Sequence, residues 1–195
     1  MSKNNYKEDR INSFKEKQET SLSFSMEGFL NKQLKIEMDA SQFYLSTASF
    51  IEGQGYEGVA SFLYDHAQEE REHMLRILRY INERGGRAKI PSLNEPDISK
   101  YEALFYKLSS LDRLKKLFVL ILESEQKVSH DIYTLVELSL KEKDYITFDF
   151  LQWYVKEQRE EENLARRIID KLNLIEEKES GLYWFDKEIK KMHEK

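Results

Sequence analysis

The sequence contains no cysteine and few of the residues that interrupt helices. The absence of cysteine from all 195 residues excludes disulfides, thiolate zinc sites and iron–sulfur clusters. Seven glycines and two prolines are too few for a loop-rich β-fold. Charged residues make up 34% of the chain and hydrophobic residues 40%, which is typical of long amphipathic helices with one solvated face. We therefore expect an all-α protein with one domain and a sizeable core.

Long hydrophobic segments and an excess of positive charge are also missing. No apolar run is long enough to cross a bilayer, and the first residues lack the apolar stretch of a signal peptide. The formal net charge of -5 argues against nucleic-acid binding as the main function, because affinity for phosphates comes from clustered lysine and arginine. We expect a cytoplasmic protein that binds neither membranes nor nucleic acids.

Four long segments carry apolar residues at three- and four-residue spacings, which predicts four long helices. The predicted helices span residues 25–52, 56–84, 111–143 and 145–174. Ser25 and Ser110 are the predicted N-caps of the first and third helices, and each has an acidic residue within the next two positions.

The segments between and around these helices predict the topology. Residues 87–109 hold both prolines and are long enough to run the length of a bundle, which a tight turn cannot do. Two antiparallel hairpins joined by one long crossover make a four-helix bundle. Gly181 begins the segment GLYWFDKEIKKM, which predicts a short fifth helix at the C-terminus. Residues 1–20 are polar, so we expect a disordered tail followed by one folded domain over residues 21–195.

Several acidic side chains and one histidine occupy helix positions in or beside the apolar stripes. Glu37 lies on the inward side of the first helix, and Glu125 follows the apolar run LFVLIL in the third. Glu70 and His73 are three residues apart in the second helix, so they share one face. Burying unpaired carboxylates is costly, so several of them together need a common cation or a set of cationic partners.

The fourth helix completes the pattern, because Gln158 and Glu161 have the same three-residue spacing. In di-iron carboxylate bundles, two helices each give a Glu and the other two each give a spaced pair of ligands. The count and order here agree with that rule, and the sequence predicts a di-iron site. The alternative is that the acids belong to solvated helix faces, an interpretation that suits Glu69, Glu72 and Glu162.

The sequence also suggests roles for other residues near the predicted site. Tyr44 falls on the same face as Glu37 two turns later, where it could hydrogen-bond a site carboxylate, give an electron, or fill the core. His66 stands one turn before Glu70 and is a candidate neighbour of the ligands. His130 and His193 are interpreted as ordinary solvated or packing histidines.

The chain resembles the bacterial non-haem ferritins over residues 25–192. The most specific stretches are FLYDHAQEEREHM, DYITFDFLQWYVKEQREEE and IIDKLNLI, followed by GLYWFDKEI, all in the order the family shows. The resemblance implies an all-α, ferritin-like four-helix bundle with one long crossover and a short fifth helix. It also implies a hollow shell of twenty-four subunits that oxidises Fe(II) with O2 or peroxide and stores Fe(III) as mineral.

The resemblance also implies a ferroxidase centre with two iron positions. Glu37, Glu70 and His73 would hold the first iron. Glu70 would bridge to a second iron, which Glu125 and Glu161 would also hold.

Further roles follow from the same resemblance. Gln158 would lie near the oxygen-binding side of the centre, and Tyr44 would be the tyrosine beside it. Glu69, Glu157 and Glu160 would form an acidic third iron site at the edge toward the cavity of the shell.

The sequence departs from the haem-containing bacterioferritins at two places. Their fourth helix has a second Glu-x-x-His motif, whereas here Glu157 is followed by Glu160 and Gln158 by Glu161. Their haem-ligating methionine directly follows the bridging glutamate, and this chain has Arg71 there. We therefore expect two irons at the ferroxidase centre, a possible third iron, and no haem.

Two functional alternatives and one structural alternative remain open at the level of sequence. A di-iron peroxidase or oxygenase without storage could use the same bundle, but the sequence identifies no substrate pocket. A DNA-protecting mini-ferritin would place its ligands between subunits and lack the fifth helix. A purely structural bundle would leave the inward acids unexplained.

Overall fold

The described residues fold into six α-helices, of which four are long. The computed structural model describes residues 20–93, 95–175 and 179–192, and no strand occurs among them. The helices are α1 (Phe24–Glu52), α2 (Glu57–Glu83), α3 (Ser99–Phe105), α4 (Ser110–Glu142), α5 (Tyr145–Leu174) and α6 (Glu179–Ile189), and a 3₁₀ helix (Lys190–Met192) continues α6. Residues 1–19 of the predicted tail lie outside the described residues, so the proposed division into a tail and a domain stays a prediction. His193 also lies outside them.

The long helices form two hairpins joined by a crossover. α1 packs along α2, α4 packs along α5, and α1 also contacts α4. The short helix α6 returns to pack on α2. This arrangement confirms the predicted all-α bundle with one long crossover and a short fifth C-terminal helix. In the described part of the chain, every helix is too short or too polar to span a membrane.

Two predicted N-caps are wrong by one or two residues. Ser23, not Ser25, caps α1: its backbone is extended (φ -64°, ψ 157°) and its hydroxyl accepts a bond from the N–H three residues on. The first residue of α1, Phe24, is 97% exposed and lies outside the apolar stripe. The apolar pattern in the sequence therefore begins after the helix does, and the predicted cap was placed too late. Ser109, not Ser110, caps α4 in the same way.

The crossover contains a helix that the sequence analysis missed. The seven residues of α3 bury Tyr101 and Phe105, whose rings meet Phe50 of α1 edge-on at centroid distances of 5.8 and 5.1 Å. A helix this short is marginal alone, so tertiary packing on the bundle stabilises it.

The fifth helix is attached to α2 through backbone hydrogen bonds. The Asp186 carboxylate of α6 accepts bonds from the N–H groups of Gly58 and Val59, both at 3.0 Å. Tyr56, the N-cap of α2, makes no side-chain capping bond, so Asp186 satisfies donors that would otherwise lack partners. A Cβ atom on Gly58 would lie 1.6 Å from the backbone oxygen of Asp186, so this close approach requires glycine.

The bundle core is divided into two apolar clusters with a polar layer between them. One cluster uses the end of α1, the start of α2, the start of α4 and the end of α5, while the other uses the opposite ends. Between them the four long helices bury these polar residues: Gln33, Glu37, Ser41, His66, Glu70, His73, Glu125, Ser129, Glu157, Gln158 and Glu161. The fold therefore places the predicted ligands in the middle of the bundle.

Candidate metal centre

Three side chains from α1 and α2 form a compact group of potential metal ligands. Glu37, Glu70 and His73 are at most 6% exposed, and each offers one ligand atom within 4.8 Å of the other two. His73 Nδ1 lies 3.2 Å from Glu70 Oε2 and 3.9 Å from Glu37 Oε2. We call these three residues the α1–α2 group.

Two atoms of the α1–α2 group are buried without a hydrogen-bond partner among the described residues. They are Glu37 Oε2 and His73 Nδ1, while Gln33 Nε2 donates to the other Glu37 oxygen at 2.8 Å. Buried polar atoms nearly always have partners, because each unpaired one loses its solvation without compensation. A cation between the carboxylate and the imidazole would satisfy both atoms, and oxygen and imidazole nitrogen are suitable donors for iron.

The position of His73 is set by its neighbours on α5. Tyr154 donates its hydroxyl to the His73 carbonyl at 2.8 Å, and the Trp153 ring meets the imidazole edge-on at 5.2 Å. The i, i+3 spacing of Glu70 and His73 turns both side chains into the bundle from one face of α2. Tyr154 therefore fixes the backbone at His73, and the Trp153 ring packs against its imidazole.

A second group of candidate ligands comes from α4 and α5, and we call Glu125, Gln158 and Glu161 the α4–α5 group. The Tyr44 hydroxyl donates to Glu125 Oε1 at 2.5 Å. The Gln158 amide donates to Glu125 Oε2 and to the Glu125 carbonyl, both at 3.2 Å. Both carboxylate oxygens of Glu125 thus have donors, and Gln158 contacts a candidate ligand through its amide nitrogen.

Burial and mutual repulsion raise the pKa values of three carboxyl groups in the layer. Burial raises the pKa of Glu37 well above its usual value, and the Glu70 charge adds to the effect. Burial and the Glu125 charge do the same for Glu70. Burial, with Glu125 and Glu69, raises the pKa of Glu161 to about 8. Without a cation the layer holds protons, and a metal ion would replace them.

The residues of the predicted third iron site are only partly brought together. Glu69 and Glu157 line an open cavity of about 610 Å³, together with His73 and Trp153. Glu160 is exposed and does not line this cavity. A third iron position therefore stays a prediction, with Glu69 and Glu157 beside the α1–α2 group.

Two residues that orient the candidate ligands were not identified from the sequence. Gln33 lies four residues before Glu37, a spacing that places the pair on one face of α1 and could have been noticed. Tyr154 reaches His73 from another helix, so no local pattern could have revealed it. Tyr44 had several possible roles, and the structure shows its hydroxyl bonded to Glu125.

Comparison with known proteins gives consistent relatives. The Ferritin-like domain model matches residues 27–175. A bacterial non-heme ferritin of Campylobacter jejuni is 40% identical over 169 residues, covering 87% of this chain and 95% of that protein. A bacterial non-heme ferritin of Escherichia coli is 40% identical over 160 residues, covering 82% and 90%. The open pore ferritin of Archaeoglobus fulgidus superposes with a TM-score of 0.76 at 35% identity, covering 88% and 98%.

Fold, site and relatives lead to one class of protein, a helical bundle that buries a carboxylate–histidine group able to hold a metal. The chain belongs to the ferritin family. The resemblance drawn from the sequence is thereby confirmed.

Proposed function

We propose that this protein stores iron after oxidising Fe(II) at the buried layer of the bundle. The observation that supports this most strongly is the α1–α2 group, in which a carboxylate oxygen and an imidazole nitrogen are buried without hydrogen-bond partners from the described chain. The α1–α2 group would take one Fe(II), and Glu125 and Glu161 would take a second with Glu70 between the two positions.

Charge balance explains how four glutamates can share one buried layer. Glu37, Glu70, Glu125 and Glu161 carry four negative charges when deprotonated, which two Fe(II) ions neutralise. The raised pKa values of Glu37, Glu70 and Glu161 mean that metal binding releases protons from these groups. The charge of the layer therefore suits two divalent cations, and Fe(II) is the one we propose as substrate.

The oxidation step follows from the electrons that two Fe(II) ions supply. Two Fe(II) ions give two electrons, which with two protons reduce O2 to H2O2, or reduce H2O2 to two water molecules. Tyr44 and Gln158 hold Glu125 by hydrogen bonds, which fixes one side of the site during this step. Fe(III) is the harder and more strongly hydrolysed ion, so it leaves for mineral growth, with Glu69, Glu157 and Glu160 as relay ligands.

The storage part of the proposal requires an assembled shell, for which the family suggests twenty-four subunits. Nine large hydrophobic side chains among the described residues are more than half exposed on the isolated chain, which supports burial against other copies: Phe24, Ile90, Leu93, Tyr106, Tyr145, Ile146, Leu174, Tyr183 and Trp184. The relatives named bacterial non-heme ferritin match most of this chain, which supports the same function.

The test is aerobic addition of Fe(II) to metal-free protein, with the oxidation rate followed and the iron-retaining particle sized. We expect rapid oxidation of about two irons per chain, the number that the two proposed positions hold, and retention of further iron in a large particle. Glu70→Ala and His73→Ala should abolish the fast phase without unfolding the chain. Glu83→Ala is the matched control on the same helix, because Glu83 is exposed and does not line the open cavity beside the α1–α2 group.

Two outcomes would contradict the proposal in different ways. Fast oxidation that survives Glu70→Ala and His73→Ala would show that the site is wrongly assigned. Fast oxidation without retained iron would keep the site and replace storage with a di-iron peroxidase or oxygenase function.

A further inference from the structure

His66 lies between two carboxylates that belong to different proposed iron positions. The side chain is buried, with 4% of the residue exposed, one helical turn before Glu70. His66 Nδ1 lies 3.4 Å from Glu69 Oε2, and His66 Nε2 lies 3.5 Å from Glu161 Oε2. Glu161 belongs to the α4–α5 group, whereas Glu69 lines the open cavity beside the α1–α2 group.

Aromatic packing fixes the direction in which the imidazole points. The Phe62 ring lies 4.3 Å from the imidazole centroid, and the Tyr44 ring meets it edge-on at 5.5 Å. Because the ring is enclosed on these sides, its two nitrogens are held toward Glu69 and Glu161. A residue held in this way orients other side chains without itself needing to bind metal.

We propose that His66 is a positioning residue that holds Glu161 and Glu69 in one arrangement and so controls the passage of iron from the second position to the third. The inference rests on the proposed ferroxidase function. One His66 nitrogen faces the acid of one position at 3.5 Å, and the other nitrogen faces the acid of the next position at 3.4 Å.

The expected effect is confined to the second and third positions. Loss of a partner that orients a ligand typically lowers metal affinity by about 10- to 100-fold. The α1–α2 group contacts other residues, since Gln33 donates to Glu37 and the Trp153 ring packs against the His73 imidazole. Its binding should therefore survive the loss of the His66 imidazole.

Two variants separate the nitrogens of His66 from its packing. His66→Phe keeps an aromatic ring against Phe62 and Tyr44 but removes both nitrogens. His66→Gln keeps one donor and one acceptor on a flexible side chain. Each is titrated in the metal-free state with Zn(II), which is redox-inert, by calorimetry, and Fe(II) oxidation is followed in parallel.

We expect His66→Phe to keep the tightest Zn(II) binding and to weaken the later binding by about tenfold or more. His66→Gln should recover part of that loss, because an amide can replace one of the two contacts. In the Fe(II) assay, the amount of iron taken up beyond two per chain should fall in the same order.

Two results would overturn the inference. Unchanged Zn(II) binding in His66→Phe would show that the imidazole positions neither carboxylate. Equal weakening of all binding, including the tightest, would indicate a general structural role. Failure of the proposed function looks different: the unaltered protein would then oxidise Fe(II) slowly, while the Zn(II) titrations of the two variants would still report on positioning.

Discussion

The two groups of candidate ligands differ in how their polar atoms are occupied. In the α1–α2 group, Glu37 Oε2 and His73 Nδ1 have no hydrogen-bond partner among the described residues. In the α4–α5 group, Glu125 accepts from Tyr44 with one oxygen and from Gln158 with the other. The first group is thus left incomplete by the chain itself, while the Glu125 carboxylate of the second group has both oxygens occupied without metal.

This difference indicates that metal ions enter the layer in a fixed order. A first ion at the α1–α2 group relieves the cost of buried, unpaired atoms and replaces the protons that Glu37 and Glu70 hold, but it breaks no bond from Tyr44 or Gln158. A second ion at the α4–α5 group must compete with the hydrogen bonds that Tyr44 and Gln158 already make to Glu125. We therefore expect the α1–α2 group to bind first and more tightly.

The largest effect is expected from removing a ligand of the α1–α2 group. Glu37→Ala leaves Glu70 and His73 alone, so the tightest Zn(II) binding should weaken by more than about 100-fold, the upper range for merely disturbing a ligand. Calorimetric titration of the metal-free protein measures this directly.

Asp39→Ala is the matched control for Glu37→Ala. Asp39 lies on the same helix, but it is exposed and paired with Lys35, an arrangement that contributes little to stability. Indistinguishable Zn(II) binding by the two variants would mean that the α1–α2 group is not the first binding position.

A smaller effect is expected from pH. The pKa of Glu161 is raised to about 8, so below that value a metal ion must displace a proton from this carboxyl. Affinity at the α4–α5 group should therefore rise with pH and level off above about 8, with about a tenfold loss per pH unit below it for one proton. Titration in buffers of different ionisation enthalpy counts the protons released, and binding without proton release would contradict the assignment.

The stability of the metal-free protein should depend on pH in the opposite sense. The folded pKa of Glu161 lies above the ordinary value of 4.5, so the stability linked to its protonated form is complete below pH 4.5. That stability is lost as pH rises through about 8. The gap in melting temperature between metal-loaded and metal-free protein should therefore widen from pH 5 to pH 8, as thermal unfolding would measure.

The sequence predicted the helices and the buried acids for a physical reason. Periodicity reveals which face of a helix is buried, so an acid in the apolar stripe, such as Glu37, is visible in one segment. A contact from another helix, such as that of Tyr154 with the His73 carbonyl, leaves no local signal in the sequence. The helix α3 was missed for the same reason, because burial of Tyr101 and Phe105 against the bundle stabilises it rather than local propensity.

Loss of a donor to the α4–α5 group should have an effect of intermediate size. Tyr44→Phe removes the hydroxyl that donates to Glu125 and leaves a buried oxygen without that partner, which should destabilise the metal-free protein by about 1–3 kcal/mol. Metal binding should restore much of this loss, because an ion takes over the freed oxygen. Chemical denaturation with and without Zn(II) measures both quantities.

Tyr64→Phe provides the control, because the Tyr64 hydroxyl also donates to a glutamate, Glu52, but at an exposed position. Its removal should change stability by no more than about 0.5 kcal/mol and should not respond to Zn(II). An equal loss of stability in Tyr44→Phe and Tyr64→Phe would show that the buried bond to Glu125 contributes no more than an ordinary surface bond.

The smallest effect on the layer is expected from breaking the attachment of α6, which lies at one end of the bundle beside the apolar cluster that contains Phe185 and Ile189. Asp186→Ala leaves the Gly58 and Val59 N–H groups without their acceptor, so the free energy of unfolding should fall by about 0.5–2 kcal/mol, as for a lost helix cap. Asp186→Asn keeps an acceptor oxygen and should lose less, and Lys187→Ala, at an exposed neighbour, should lose least. Zn(II) affinity should be the same in all three, because Gly58 and Val59 lie about three helical turns before Glu70 on α2. Weaker binding of the first Zn(II) in Asp186→Ala alone would show that the end of the bundle and its carboxylate layer are energetically linked. The difference between the two ligand groups would then not come from their local contacts alone.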